Sequence, residues 1–168
     1  MANTFELISS VNVGLLGATD IAFSSIPATY TDLCLVVSAR TSSISVQGFL
    51  TAAFNGSTAN FSIRGLYGFG SGTGSFTTPS NFVGEVVGDT ATASTFSNMS
   101  IYIPNYAGSV NKSYSVDSVA ENNATFAQMG LTAGLWSQTA AITSITLTPN
   151  AGNFKQYTTA YLYGVKNA

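Results

Sequence analysis

What most constrains this chain is its punctuation. Apolar residues recur at every second position in short runs, and each run stops at Gly, Pro or Asn. Residues 5–13 set Phe5, Leu7, Val11 and Val13 against Glu6, Ser10 and Asn12, the period of a half-buried strand, and Gly14 and Gly17 close it. Ile21 and Phe23 repeat the pattern until Pro27, which has no N–H to give to a ladder. DLCLVVSA at 32–39 is a continuous apolar run, the pattern of a strand covered on both faces. Residues 46–54 form the next strand. It ends at Asn55-Gly56, a dipeptide that tolerates positive φ and so signals a hairpin. Residues 60–66 put Phe61 and Ile63 inward.

Further on, residues 96–103 alternate Met99, Ile101 and Ile103 with Asn98, Ser100 and Tyr102. The chain turns at Pro104-Asn105 and resumes with Tyr114, Val116 and Ala120 on one face. Residues 124–136 read as one long strand or as a strand bulged at Gly130 or Gly134. A short strand at 142–148 ends at Pro149. The final run aligns Tyr157, Thr159, Tyr161, Tyr163 and Val165, with Tyr161 and Tyr163 read as core. Residues 68–95 lack a clean period and carry Gly68, Gly70, Gly72, Gly74, Gly84 and Gly88. They are expected to form exposed glycine-rich loops, with an edge strand at 82–87.

About nine or ten short strands at even spacing, with no helical period, mean an all-β sandwich or barrel. With 168 residues the chain is one domain, 1–168. The expected fold is a two-sheet antiparallel sandwich of jelly-roll type. An immunoglobulin-like sandwich is the alternative, weakened because no Cys…Trp…Cys pattern is present.

Composition narrows the function. Hydrophobic residues reach 45% but charged ones only 7%, with Ser, Thr, Asn and Gly filling the surface. Hydroxyls and amides are cheaper to desolvate than ions, which suits packing against other subunits. The net charge is −2, and Arg40, Arg64, Lys112, Lys155 and Lys166 are scattered. Nucleic-acid binding, which needs clustered cations, is excluded. No apolar run is long enough to span a bilayer, and MANTFELISS has neither the basic nor the apolar part of a signal peptide. Cys34 is the single cysteine, which excludes an internal disulfide, and it is read as an inert buried thiol. Without a secretion signal, the sequons at Asn55, Asn60, Asn98, Asn111 and Asn123 are read as composition rather than glycosylation sites.

Catalysis is disfavoured. There is no histidine, so Ser-His-Asp and Cys-His arrangements are impossible. Asp117 and Glu121, on one strand face, would lie about 13 Å apart if extended. Glu85 and Asp89 could approach each other only by loop folding. The alternate glycines of 68–74 lack the G-x-G-x-x-G spacing, the following helix and the lysine of a phosphate loop. Asp117, Glu121, Asn122 and Asn123 have the chemistry of a calcium site but no EF-hand spacing, and a polar turn explains them. No metal or cofactor is expected.

Five segments carry a resemblance: FELISSVNV at 5–13, IAFSSIPATYTDL at 21–33, YIPNYAGSVNKSYSVDSVAENNATF at 102–126, GLWSQTAAITSITLTP at 134–149 and NFKQYTTAYLYGVKNA at 153–168. Together they resemble a family of small β-sandwich virion proteins of tailed bacteriophages, well represented among phages of cyanobacteria. The resemblance leaves out the glycine-rich region and transfers no catalytic residue. It implies a virion protein assembled in the host cytoplasm, most simply a capsid decoration (cement) subunit. Such a subunit acts as a homotrimer and binds the major capsid protein. The alternative it implies is a tail-fibre or appendage module whose aromatics stack on host-surface glycans. A short chain starting at Met1 with no fibrous repeat favours the first. Aromatics are enriched at interface centres, so the candidate contact residues are Phe69, Phe76, Phe82, Tyr102, Tyr106 and Trp136.

Overall fold

The structure is a computed structural model and describes residues 4–123 and 126–166. The strands are β1 (Phe5–Asn12), β2 (Ile21–Phe23), β3 (Asp32–Ala39), β4 (Gln47–Phe54), β5 (Phe61–Phe69) and β6 (Gly72–Thr78). They continue as β7 (Phe82–Val87), β8 (Ser97–Pro104), β9 (Lys112–Ala120), β10 (Gln128–Trp136), β11 (Ile145–Pro149) and β12 (Thr159–Val165). No helix occurs among the described residues.

The strands form two antiparallel sheets, one of eight in the order β1-β12-β3-β8-β9-β10-β5-β6 and one of four in the order β2-β11-β4-β7. Setting aside the hairpins β5–β6 and β9–β10 leaves eight strands, β1-β12-β3-β8 facing β2-β11-β4-β7. Each of the pairs β1/β2, β3/β4, β7/β8 and β11/β12 crosses between the sheets, which is the jelly-roll closure. The fold is therefore the expected sandwich, and the two hairpins are additions that lengthen one sheet only.

The core lies between the sheets. Leu33, Leu35, Val37, Met99, Ile101, Ile103 and Leu162 of the large sheet meet Ile21, Phe23, Leu50, Phe54, Ile145 and Leu147 of the small one. At one end Phe54 packs edge-on against Tyr114 at 5.7 Å and Trp136 at 5.6 Å, and Phe61 stacks near Trp136 at 6.2 Å. Asn55 (φ 53°) and Gly56 (φ 74°) make the expected primed turn, closed by the Phe54–Ser57 bridge, but no hairpin follows, because β4 and β5 lie in different sheets. The Asn55 side chain also accepts from the N–H groups of Thr143 and Ser144 and donates to the Ala141 carbonyl, tying down the segment before β11.

Two buried cations shape loops. Arg40 is 5% exposed and donates to the carbonyls of Thr92, Thr95, Asp89 and Ala91, fixing the segment between β7 and β8. Buried Lys112 donates to the carbonyls of Gly108 and Val110 and so closes the turn between β8 and β9. Burial lowers its pKa.

Several expectations are corrected. In β1 the register with β12 shifts between Leu7 and Ser9, a bulge at Ile8. Phe5 and Leu7 therefore point outward, while Ile8 and Val11 pack on the core. In β12 the period is as expected but the face is inverted. Ala160 and Leu162 enter the core, and Tyr161 and Tyr163 lie on the outer face. An alternating run states its period, not which face is buried. β3 buries Leu33, Leu35 and Val37 inward, but its outer face is only partly covered.

Residues 68–95 are mostly strand: the end of β5, all of β6, and β7 as the edge of the small sheet. Neither Gly130 nor Gly134 marks a bulge, since β10 pairs without a shift with both β5 and β9. A Cβ at Gly134 would fall 2.0 Å from the Tyr114 ring, so that glycine makes room for a side chain. Ala124 and Thr125, the start of the expected 124–136 strand, lie outside the described residues.

Candidate functional site

The extra hairpin β5–β6 carries the large sheet past the edge of the small one, so the inner face of its far end has no opposing strand. Phe61 and Ile63, near the roll, are buried. Beyond them come Tyr67 and Phe69 on β5 and Gly72, Gly74 and Phe76 on β6.

Register explains the alternate glycines. Gly65 pairs with Phe76, Tyr67 with Gly74, and Phe69 with Gly72, so each of these three inner-face pairs joins a ring to a glycine. A Cβ at Gly65 would sit 2.1 Å from the Phe76 ring, one at Gly74 2.6 Å from Cζ of Tyr67, and one at Gly72 3.2 Å from Cζ of Phe69. Each ring thus lies across the neighbouring strand in space only glycine leaves open. Tyr67 and Phe69 are nearly parallel, 18° apart with centroids separated by 5.7 Å.

The opposite wall comes from the small sheet and the end of β10. Phe82 of β7 meets Phe76 edge-on at 5.5 Å and Phe49 of β4 at 5.7 Å, and Phe126 contacts Phe69 at 5.7 Å. The result is a cleft of about 550 Å³ lined by six aromatic side chains with Thr78, Ser80, Glu85 and Gln128. This is the size of ordinary small-molecule sites.

Glu85 is the one charged residue among those lining it. Its Oε2 accepts from Nε2 of Gln47 at 2.7 Å and its Oε1 from Nε2 of Gln128 at 3.0 Å. Nε2 of Gln47 also donates to Oε1 of Gln128 at 3.1 Å, and Oε1 of Gln47 is buried without a partner. Burial pushes the Glu85 pKa up, and the two amide bonds only partly oppose this. Hydrolysis by a carboxylate pair requires a second carboxyl across the cleft, and none of the lining residues supplies one.

Of the six candidate contact residues, Phe69, Phe76 and Phe82 converge here. The other three are elsewhere. Trp136 (2% exposed) and Tyr106 (0%) belong to the core, which withdraws them from the surface. The Tyr106 hydroxyl is taken up by the Pro27 carbonyl. Tyr102 is half-buried on the outer face of the large sheet and donates to Oδ2 of Asp32 at 2.5 Å, which pushes its pKa up to about 12. Oδ1 of Asp32 accepts from the Asn105 N–H, so this group braces the turn after β8.

Sequence reasoning missed Tyr67, Phe49, Phe126 and the Glu85–Gln47–Gln128 cluster. Tyr67 could have been found from aromatics set two residues apart before glycines with the same spacing. The others come from four separate strands and loops and leave no local trace.

The remaining polar candidates have structural roles. Oε1 of Glu121 accepts from the Asn123 N–H, and the buried Asn122 amide donates to the carbonyls of Ala120 and Phe126. Asp117 is exposed on the outer face, and among the described residues no cluster of three metal-ligating side chains occurs. Asp89 pairs with Lys155 at the surface. Cys34 is buried, 4.0 Å from the Ser100 hydroxyl, and burial raises its pKa, the opposite of a reactive thiol.

A second surface is apolar and open. On the outer face Leu131 pairs with Leu66, and Met129 follows on the same side, each more than half exposed. At one end of the roll, Leu15 and Leu16, Ile44 and Tyr157 are exposed. Their loops are brought together by bridges from Phe154 to Ala18 and Thr41. No family model matches this chain, and the search of curated proteins finds no match.

Proposed function

We propose that this protein is a non-catalytic structural subunit of a tailed-phage particle, a capsid decoration protein. It binds the major capsid shell and copies of itself, as a homotrimer, by burying surface. The observation that carries the reading is the balance of the surface. Large exposed hydrophobics among the described residues number 14, whereas the whole chain has 5 + 7 = 12 charged residues, two of them buried. Contiguous apolar surface such as the Leu66–Leu131–Met129 strip is the usual mark of an interface. A standard interface covers roughly 1,600 Å² in total. The resemblance in the five sequence segments supplies the particle.

The test is quantitative gel analysis of purified virions, with light scattering of the isolated chain. Hundreds of copies per particle and an oligomer in solution are expected. A few copies per particle, or a clean monomer at micromolar concentration, overturns the decoration role. One observation favours the second reading, an appendage module that contacts host-surface glycans: the aromatic cleft is more elaborate than packing between subunits requires.

A further inference from the structure

We infer that the cleft between the β5–β6 hairpin and the β4–β7 edge binds a neutral saccharide, stacked on Tyr67 and Phe69 and hydrogen-bonded to Glu85 and Gln128. A pyranose ring presents an apolar C–H face and a rim of hydroxyls, each able to donate and accept. The cleft offers the matching pair of surfaces. Its walls are aromatic, and at one end stands a carboxylate whose two oxygens each accept one amide N–H and keep lone pairs for hydroxyls. Gln128 Nε2 has a second hydrogen free to donate. Thr78 and Ser80 add hydroxyls along the lining.

Other occupants fit less well. No cation lines the cleft, so phosphate, sialic acid or another anion would meet Glu85 unopposed. A purely apolar ligand would strip water from the Glu85–Gln47–Gln128 cluster and return no hydrogen bonds. A quaternary ammonium would use the rings and the charge, but would leave the amide and hydroxyl groups unpaired. Glycines at 65, 72 and 74 leave room for the rings to lie down on the neighbouring strand.

This deepens the appendage reading above and rests on it only for where the saccharide comes from. Virion copy number tests that role and a binding measurement tests the cleft, so the two fail separately. The experiment is saturation-transfer NMR on the purified full chain, with maltotriose, cellotriose, mannotriose and chitotriose as neutral probes. Choline and sialyllactose serve as cationic and anionic controls.

At least one neutral probe is expected to bind through its C–H protons, and Phe69→Ala to weaken it about tenfold. Phe69 is 39% exposed, so its removal leaves the core intact, and Phe126→Ala (44% exposed) gives the same readout if that variant misfolds. Glu85→Gln keeps an acceptor and removes the charge. A saccharide then loses about threefold, whereas a cation would lose nearly all binding. Silence from every neutral probe at millimolar concentration overturns the inference. So does binding indifferent to both Phe69→Ala and Phe126→Ala, or binding by choline alone.

Discussion

Adding a methyl group at Gly134 and at Gly74 has different consequences, although each glycine lies under a tyrosine ring of the neighbouring strand. At position 134 the new Cβ falls 2.0 Å from Cζ, 2.3 Å from Cε2 and 2.5 Å from Oη of Tyr114. Tyr114 is 2% exposed and held edge-on by Phe54 at 5.7 Å and Phe61 at 6.5 Å, so the ring has nowhere to go. At position 74 the Cβ falls 2.5 Å from Oη and 2.6 Å from Cζ of Tyr67, which borders the open cleft and can swing away.

Replacing Gly by Ala restricts the unfolded chain and favours folding by about 0.4–1 kcal/mol where no strain arises. Overpacking a tight core costs about 1–3 kcal/mol, and an overlap as deep as that at Tyr114 belongs at the upper end. Gly134→Ala is thus destabilising by about 2 kcal/mol, or about 4–8 °C in Tm for a domain of this size. Gly74→Ala leaves stability unchanged or raises it by up to about 1 kcal/mol. Urea unfolding followed by circular dichroism separates the two, read as a shift in midpoint at constant slope. A Gly134→Ala protein within about 0.5 kcal/mol of the wild type would refute the ring-over-glycine argument. Equal losses in both variants would mean that Tyr67 is wedged in place and the cleft is closed packing.

Arg40→Met removes four bonds to the carbonyls of residues 89–95 and recovers the cost of burying a charge. The expected net loss is about 3 kcal/mol, with hydrogen exchange accelerated in that segment first, and uniform exchange would contradict the local role. The Glu85 pKa is raised on folding, so its contribution to stability is fully present below the unfolded carboxylate pKa and is lost as pH rises through the folded one. Glu85→Gln, which does not titrate, is therefore expected to gain in stability relative to the wild type as pH rises across that window. A difference independent of pH would refute this. Cys34→Ser changes stability and leaves oligomerisation intact, and loss of assembly by a folded variant would overturn the inert-thiol assignment.

Much of the sandwich was legible because period two and its stop signals are local. Asn55-Gly56, Pro104-Asn105 and the turn after Pro149 fall where the sequence puts them. What stayed hidden is of two kinds. The first is which face of an alternating strand is buried: Tyr161 and Tyr163 outrank Ala160 and Leu162 in size, yet the smaller pair faces the core. The bulge at Ile8 likewise reverses the faces of Phe5 and Leu7. The second is pairing across the chain. Gly72 and Gly74 look like loop residues until they are set opposite Phe69 and Tyr67, and Trp136 looks like a surface anchor until Phe54 and Phe61 pack against it. Phe69, Phe76 and Phe82 were legible as a group because they share the one region whose glycines break the pattern.

The cleft follows from a mismatch in the fold. A jelly roll needs four strands over four, and here the small sheet stops at four while the large sheet runs on to eight. Of the added strands, β9 and β10 are covered because β7 packs across them. The β5–β6 hairpin alone overhangs, and an inner sheet face without a partner layer has two ways to stay folded. It can become polar, or it can carry rings that shield one another. This chain takes the second course but sets Glu85, Gln47 and Gln128 beside the rings, at the end where β4, β7 and β10 converge. Rings needed only as a cover would pack as well against leucine or valine as against a half-buried carboxylate, and without its desolvation penalty. The carboxylate is therefore the residue to explain, and a hydroxyl-bearing ligand lying between it and the rings explains both.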